Sequence, residues 1–281
     1  MTSTVLPQPQ TPGPARLPVP PRPHASATMI IGLAVTVVVV AAHVLAWIDT
    51  EVSITALAEG GDGMIRFLAE AMPPDLDWAK VVLPGFQACL TTLYIGLLGT
   101  TLSIPFALLL AVLGSRTTNR NPVVYQLARG IMSLLRAVPD VVFALIFVTA
   151  VGLGPFPGVL ALIVHNAGVM GKLWSEAMEE ADQGPVEALR VAGAGSAQIA
   201  LHAVLPTVVP QCVGLLLYRF DVNVRSSLVL GLVGAGGIGF LINQSIQLFQ
   251  FDAMFTYILQ VLVLIIVVDL ISIAVRRRLA V

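Results

Sequence analysis

Charge is the scarcest property of this chain: Asp, Glu, Lys and Arg make up 11% of its 281 residues, against 57% hydrophobic ones. A water-soluble domain of this length carries roughly a quarter charged residues. The deficit excludes a fully solvated surface and assigns most of it to lipid. The 15 basic and 16 acidic side chains leave a net charge of −1, which excludes the basic footprint of a nucleic-acid binder. Cysteine is nearly absent. Cys89 and Cys212 each lie inside an apolar run, without the clustering that a disulfide framework or a zinc site needs. Both read as small core residues. There is no G-x-x-x-x-G-K-[ST] phosphate loop, and no Ser-His-Asp, HExxH or paired-carboxylate site is readable.

Long apolar runs fill the space that charge leaves. Residues 1–27 come first and are proline-rich, which predicts a disordered tail without a core. Met29 to Ile48 is apolar for about 20 residues, enough to cross a bilayer, and no small-x-small cleavage site follows it. Residues 28–48 therefore read as an uncleaved first membrane helix. In 49–80 the acids Asp49, Glu51, Glu59, Asp62, Glu70, Asp75 and Asp77 face only Arg66 and Lys80, which predicts a water-exposed external segment. The remainder, 81–281, reads as one membrane core.

Five further apolar stretches divide that core: Phe86–Leu113, Pro122–Leu153, Val159–Trp174, Thr207–Val233 and Phe255–Val275. Arg129, Arg136, Pro139 and Asp140 interrupt the second of them. GPFPG at 154–158 reads as a tight turn, 175–205 as polar helix, and Leu241–Phe251 as a short surface or re-entrant helix. Arginine is concentrated in the tail, at 115–121 and at Arg276–Arg278. Under the positive-inside rule, these places and both termini are cytoplasmic. The fold class expected is an all-α integral membrane protein of about six transmembrane helices, with a short cytoplasmic helix in the loop at 176–205.

Three motifs carry the functional argument. YRFDVNVRSS, 218–227, puts Arg219, Asp221, Asn223 and Arg225 near mid-membrane. Ionisable groups there are costly and usually mark a pathway. At about 100° per residue, Arg219, Asn223 and Ser226 share one helical face. Asp221 and Arg225, four apart, share the nearly opposite face and are placed to pair. The economical division makes Asp221–Arg225 a self-neutralised brace and Arg219 with Asn223 and Ser226 a donor set for an anion.

LLRAVPDVVFAL, 134–145, sets Arg136 and Asp140 four apart around Pro139. The proline frees a carbonyl and kinks the helix. A kinked helix with a charge pair at membrane depth reads as a gate or pathway wall. The alternative leaves Asp140 neutralising Arg219 or Arg225 in a static network. EALRVAGAGSAQIALHAVLP, 187–206, places a short helix between glycines and between two spans, suited to docking in a partner's groove.

This last stretch resembles the EAA loop of ABC-importer permeases. Glu187, Ala188, Gly193, Leu205 and Pro206 keep the landmarks and their spacing, while Leu189 and Ala203 replace the third motif residue and an isoleucine. RAVPD, YRFDVNVR and SSLVLGLVGAGGIG extend the likeness. From about Phe86 to Arg277 the chain is similar to the permease subunit of phosphonate/phosphate importers, in the binding-protein-dependent type I permease family.

The resemblance implies that the 185–196 helix docks into a separate ATPase. It also implies a second permease copy, identical or paralogous, two ATP-binding subunits, and an external phosphonate- or phosphate-binding protein. ATP and Mg²⁺ would then sit on the partner ATPase, with no cofactor on this chain. The location would be a bacterial plasma membrane, and the cargo phosphate, phosphite or an organophosphonate moved by alternating access. An amino-acid permease such as one for methionine is the alternative within this class. An ion-coupled secondary transporter, with Asp140 or Asp221 as its ion site, or a membrane enzyme stands outside it.

GAGGIG, 234–239, fits G-x-G-x-x-G, but a membrane helix precedes it and no βαβ unit surrounds it. It reads as a sharp turn with close helix packing. His165 and Asn166 read as interhelical hydrogen-bonders, Lys172 as a snorkelling cation, and Glu176, Glu179, Glu180 and Asp182 as a solvated acidic run.

Overall fold

The computed structural model describes residues 25–279, and every regular element among them is a helix. The tail expected at 1–27 lies outside the described residues up to position 24. Five helices are long and apolar enough to cross a membrane, or six if a bent pair counts as one span.

The chain forms two compact units, 1–63 and 64–281. In the first, α1 (Ala25–Asp49) is followed by α2 (Ile54–Glu59). Val35, Val38, Val40, Val44 and Leu45 are all exposed, so α1 is apolar all round, as a lone span in lipid must be. Its polar side chains turn back onto the helix. Thr36 donates to Gly32 O at 2.8 Å, and His43 Nδ1 lies 2.7 Å from Val39 O.

In the second unit, the segment after α3 (Gly61–Ala71) packs on the start of α12 (Phe251–Leu279). Phe67 meets Phe251 edge-on at 5.1 Å, and Thr256 Oγ1 donates to Asp75 O at 2.7 Å. Asp77 caps a π-helical turn, Trp78–Val82, which leads into α4 (Leu83–Leu113). A second π-turn, Ala200–Val204, joins α9 (Ser196–Ile199) to α10 (Leu205–Leu232). Each π-turn runs directly into a Leu-Pro pair, Leu83-Pro84 or Leu205-Pro206. A proline ring clashes with the carbonyl four residues back, and one wider turn relieves that clash without ending the helix. The fifth span is thus continuous from Ser196 to Leu232, rather than starting at Thr207.

Pro139 acts differently. The stretch expected as one kinked helix is two, α5 (Pro122–Ala137) and α6 (Asp140–Val151), bent by 83°. Val138 is extended (φ −88°, ψ 123°) because the residue before a proline is pushed out of the helical region. The GPFPG turn is also shorter than expected. Gly152 and Gly154 make it with positive φ, and Pro155 already opens α7 (Pro155–Glu180).

α4 and α7 pack through glycine. A Cβ at Gly99 would lie 2.5 Å from Leu162 Cβ, and one at Gly96 would lie 2.8 Å from Val224 Cγ2 of α10. One apolar cluster joins Ala107, Ala111, Met170, Trp174, Met178, Val186, Ile199 and Val208, and a second joins Ile95, Ala144, Leu162, Leu230 and Ala235. Along α10 the polar motif lies between them. The glycine turn at 234–237 closes α10 onto α11 (Ile238–Gln247). Gly234, Gly236 and Gly237 all have positive φ, and a Cβ on Gly236 would meet Pro155 N at 2.8 Å. Positive φ and close packing account for these glycines.

Candidate functional site

Arg219 projects from α10 towards α7. Its Nε and Nη2 donate to Asn166 Oδ1 at 3.2 and 2.7 Å, and Nη2 also reaches Asn223 Oδ1 at 3.4 Å. Among the described residues no carboxylate comes within 4.0 Å of its guanidinium. A cation at membrane depth is therefore held by amide dipoles alone. They satisfy donors without cancelling charge.

Two further contacts orient the amides. Asn223 is buried and donates from Nδ2 to Thr100 Oγ1 at 2.7 Å, and Thr100 in turn donates to Gly96 O. That chain aims Asn223 Oδ1 at Arg219. Asn166 is also fully buried, and its Nδ2 has no acceptor among the described residues. The cluster thus combines an uncancelled guanidinium with an unused amide donor, a set suited to a tetrahedral oxyanion. Ser226, expected on the same face, makes no hydrogen bond among the described residues. Its neighbour Ser227 instead packs α10 onto α4, donating to Thr92 O and Val224 O.

The opposite face holds more than the expected pair. Arg225 Nη2 does meet Asp221 Oδ2 at 2.9 Å, but it also meets Asp269 Oδ1 of α12 at 2.5 Å. The brace is a triad with one more acid than base, not a self-neutralised pair. Asp269, a lone acid in the last apolar run, was the available signal for it. Asp221 Oδ1 is buried without a hydrogen-bond partner among the described residues.

Arg136 and Asp140 do not pair. The break at Val138–Pro139 removes the helical register that would have stacked residues four apart, and no ion pair within 4.0 Å joins them among the described residues. Arg136 is exposed. Asp140 accepts from its neighbour Val141 N at 2.9 Å and forms no ion pair within 4.0 Å with Arg219 or Arg225 among the described residues. His165 Nδ1 lies 3.2 Å from Val138 O and ties the break to α7.

The docking motif forms α8 (Gln183–Val191), capped by Asp182, which accepts from Gly184 N at 3.0 Å. Gly193 N reaches Arg190 O and Ala194 N reaches Leu189 O, at 3.1 and 3.0 Å, with Gly193 at φ +83°. This is the paired hydrogen bonding of a Schellman helix end, which requires the left-handed residue. Val186 is buried in the first cluster and Leu189 packs beside it. Glu187, Ala188, Arg190 and Val191 face outward, Val191 being 90% exposed. Leu205 and Pro206 follow the π-turn beyond α9. The acidic run nearby is not simply solvated: Lys172 pairs with Glu176 at 2.8 Å and Arg129 with Glu179 at 2.7 Å.

A bundle of apolar helices with an outward-facing loop helix and a half-buried cation without an ion-pair partner among the described residues defines a membrane permease, and sequence comparison agrees. Residues 103–281 match the family described as binding-protein-dependent transport system inner membrane component, and the chain belongs to that family. It is 39% identical over 224 residues to the phosphite transport system permease protein PtxC of Stutzerimonas stutzeri, covering 80% of each chain. It is 41% identical over 223 residues to the phosphate-import permease protein PhnE of Mycolicibacterium smegmatis, covering 79% of this chain and 41% of that one. In fold it is similar to a chain of the MetNI methionine ABC transporter solved in inward-facing conformations, with a TM-score of 0.57 at 22% identity, over 71% of this chain and 95% of that one.

Proposed function

We propose that this chain is the permease subunit of an ATP-powered importer of a phosphorus oxyanion: phosphite, phosphate or a phosphonate. The carrying observation is Arg219, held by Asn166 and Asn223 with no carboxylate within 4.0 Å among the described residues. The names of the relatives support the same cargo class. A zwitterionic amino acid would also need an acceptor for its ammonium group, and among the described residues no carboxylate lies within 4.0 Å of Arg219.

Two copies of the chain form the membrane core, and each contributes one Arg219 to a shared pathway. Two ATP-binding subunits, carrying ATP and Mg²⁺, dock on the exposed face of α8 around Glu187 and Val191. An external binding protein delivers the oxyanion to the opposite side. Both termini lie in the cytoplasm, on the side of α8. ATP binding shifts α8, α7 and α10 part, and the covered Asn166 amide and Arg219 are uncovered to the cargo. A single guanidinium per subunit attracts the anion without trapping it, as transport requires.

The test is ATP-dependent uptake of radiolabelled phosphite, phosphate and a phosphonate by proteoliposomes holding the assembled importer. Wild type is expected to import at least one, and Arg219→Gln to lose that uptake while the ATPase subunits stay bound. Unchanged uptake in Arg219→Gln would make the arginine structural. A wild type that moves none of the three overturns the cargo assignment.

A further inference from the structure

The ends of α4 and α7 meet the middle of α5 on two side chains away from the Arg219 cluster. Arg129 of α5 donates from Nη2 to Glu179 Oε2 of α7 at 2.7 Å and from Nε to Gly114 O, at the end of α4, at 2.9 Å. The other oxygen of Glu179 accepts from Arg116 N at 2.9 Å. Tyr125 lies beneath both guanidiniums, with ring centroid distances of 5.1 Å to Arg116 and 5.2 Å to Arg129. The loop closes round them. Thr118 Oγ1 donates to Val112 O at 2.6 Å and Asn119 Nδ2 to Leu113 O at 2.8 Å. Val112 O, Leu113 O and Gly114 O, at an end that a helix leaves unsatisfied, are thus bound by this one loop and by Arg129. The two ionised side chains are only 17% and 28% exposed.

The position of this cluster gives it a mechanical consequence. Glu179 stands three residues before Asp182, the cap of α8. Arg129 stands on α5, which runs directly into the Val138–Pro139 break and α6. Only Ala181 and Asp182 separate the end of α7 from α8, so a displacement of α8 pulls directly on the end of α7. The ion pair then connects α7 to α4 and α5, and so to the only sharp bend in a membrane span among the described residues.

We propose that the Arg129–Glu179 pair, forked onto Gly114 O, is the joint that transmits movement of α8 to the broken α5–α6 span. Both residues are positioning residues, and neither touches cargo or nucleotide. The proposal rests on the reading of α8 as the ATPase-docking helix.

The experiment compares uptake per ATP hydrolysed in proteoliposomes of the assembled importer, for wild type, Glu179→Gln, Arg129→Gln, their double variant and Arg129→Lys. The cargo is radiolabelled phosphite, phosphate or a phosphonate, whichever wild type imports. In each single Gln variant the ATPase subunits remain bound and hydrolysis persists, while uptake per ATP falls about tenfold, the scale of a typical coupling between sites. The double variant falls no further than the singles, because one joint is lost in each case. Arg129→Lys keeps the charge without the fork, so its ratio also falls.

A wild-type ratio in the Gln variants, additive losses in the double variant, a wild-type ratio in Arg129→Lys, or release of the ATPase subunits by Glu179→Gln would each overturn the joint. Failure of the cargo reading shows separately, as absent uptake of all three compounds by wild type. The joint is then read from ATP hydrolysis stimulated by the binding protein, which falls to the basal rate in Glu179→Gln if the joint transmits and stays stimulated if it does not.

Discussion

Asn166 Oδ1 accepts two N–H groups from one guanidinium, Nε of Arg219 at 3.2 Å and Nη2 at 2.7 Å, across the contact between α7 and α10. The arrangement resembles a fork on a carboxylate with one oxygen and the charge removed. It holds Arg219 in place and leaves its positive charge uncancelled.

Asn166→Asp tests that point with almost no change of shape. The new carboxylate would pair with Arg219 at the same distances and cancel its charge. Thermal unfolding in detergent is expected to stay close to wild type, while oxyanion uptake falls about tenfold or more, as a pathway that no longer attracts its ion should. Uptake at the wild-type level would show that the charge of Arg219 has no part in transport.

The triad on the other face predicts an order of stabilities. Removing one member of a buried ion pair costs roughly 3–5 kcal/mol, but Arg225 is half exposed, so the expected loss for Arg225→Gln is about 2 kcal/mol. Asp269→Asn relieves the excess acid and leaves Arg225 with Asp221, so it should cost less. Chemical or thermal denaturation of the purified permease reads the order. The reverse order would mean that Asp269, not Asp221, is the main partner of Arg225.

Outside the membrane spans, Asp77 supplies a pH-dependent contribution. Its carboxyl is held below the ordinary 3.8 chiefly because it accepts from Lys80 N, with Ala79 N adding to the effect at the start of the π-turn. A depressed folded-state pKa stabilises fully above the unfolded value and loses that stability as pH falls through the folded one. Acid unfolding followed by circular dichroism should therefore show a steeper loss below about pH 4 in wild type than in Asp77→Asn. Identical acid limbs would remove the cap from the account.

Much of the site was legible from spacing alone. A regular helix repeats at about 100° per residue, so Arg219 with Asn223, and Asp221 with Arg225, followed from their positions in YRFDVNVR. The glycine-stopped docking helix was equally local: its caps, Asp182 and Gly193, lie within a turn of its ends. The partners lay beyond that reach. Asn166 stands 53 residues from Arg219, Thr100 123 from Asn223, and Asp269 44 from Arg225. The prolines show the same boundary. Pro139 broke its span sharply, whereas Pro84 and Pro206 were absorbed by π-turns, a choice made by how each helix packs.

By itself the sequence determined that the chain must lie in lipid, which stretches cross it, and which helix faces carry charge. Composition, hydrophobic length and helical period are properties of neighbouring residues and need no fold to act. Only the tertiary structure decided which charge stays uncancelled. That outcome depends on which side chain of another helix comes within 3 Å of each guanidinium: an amide for Arg219, a second carboxylate for Arg225.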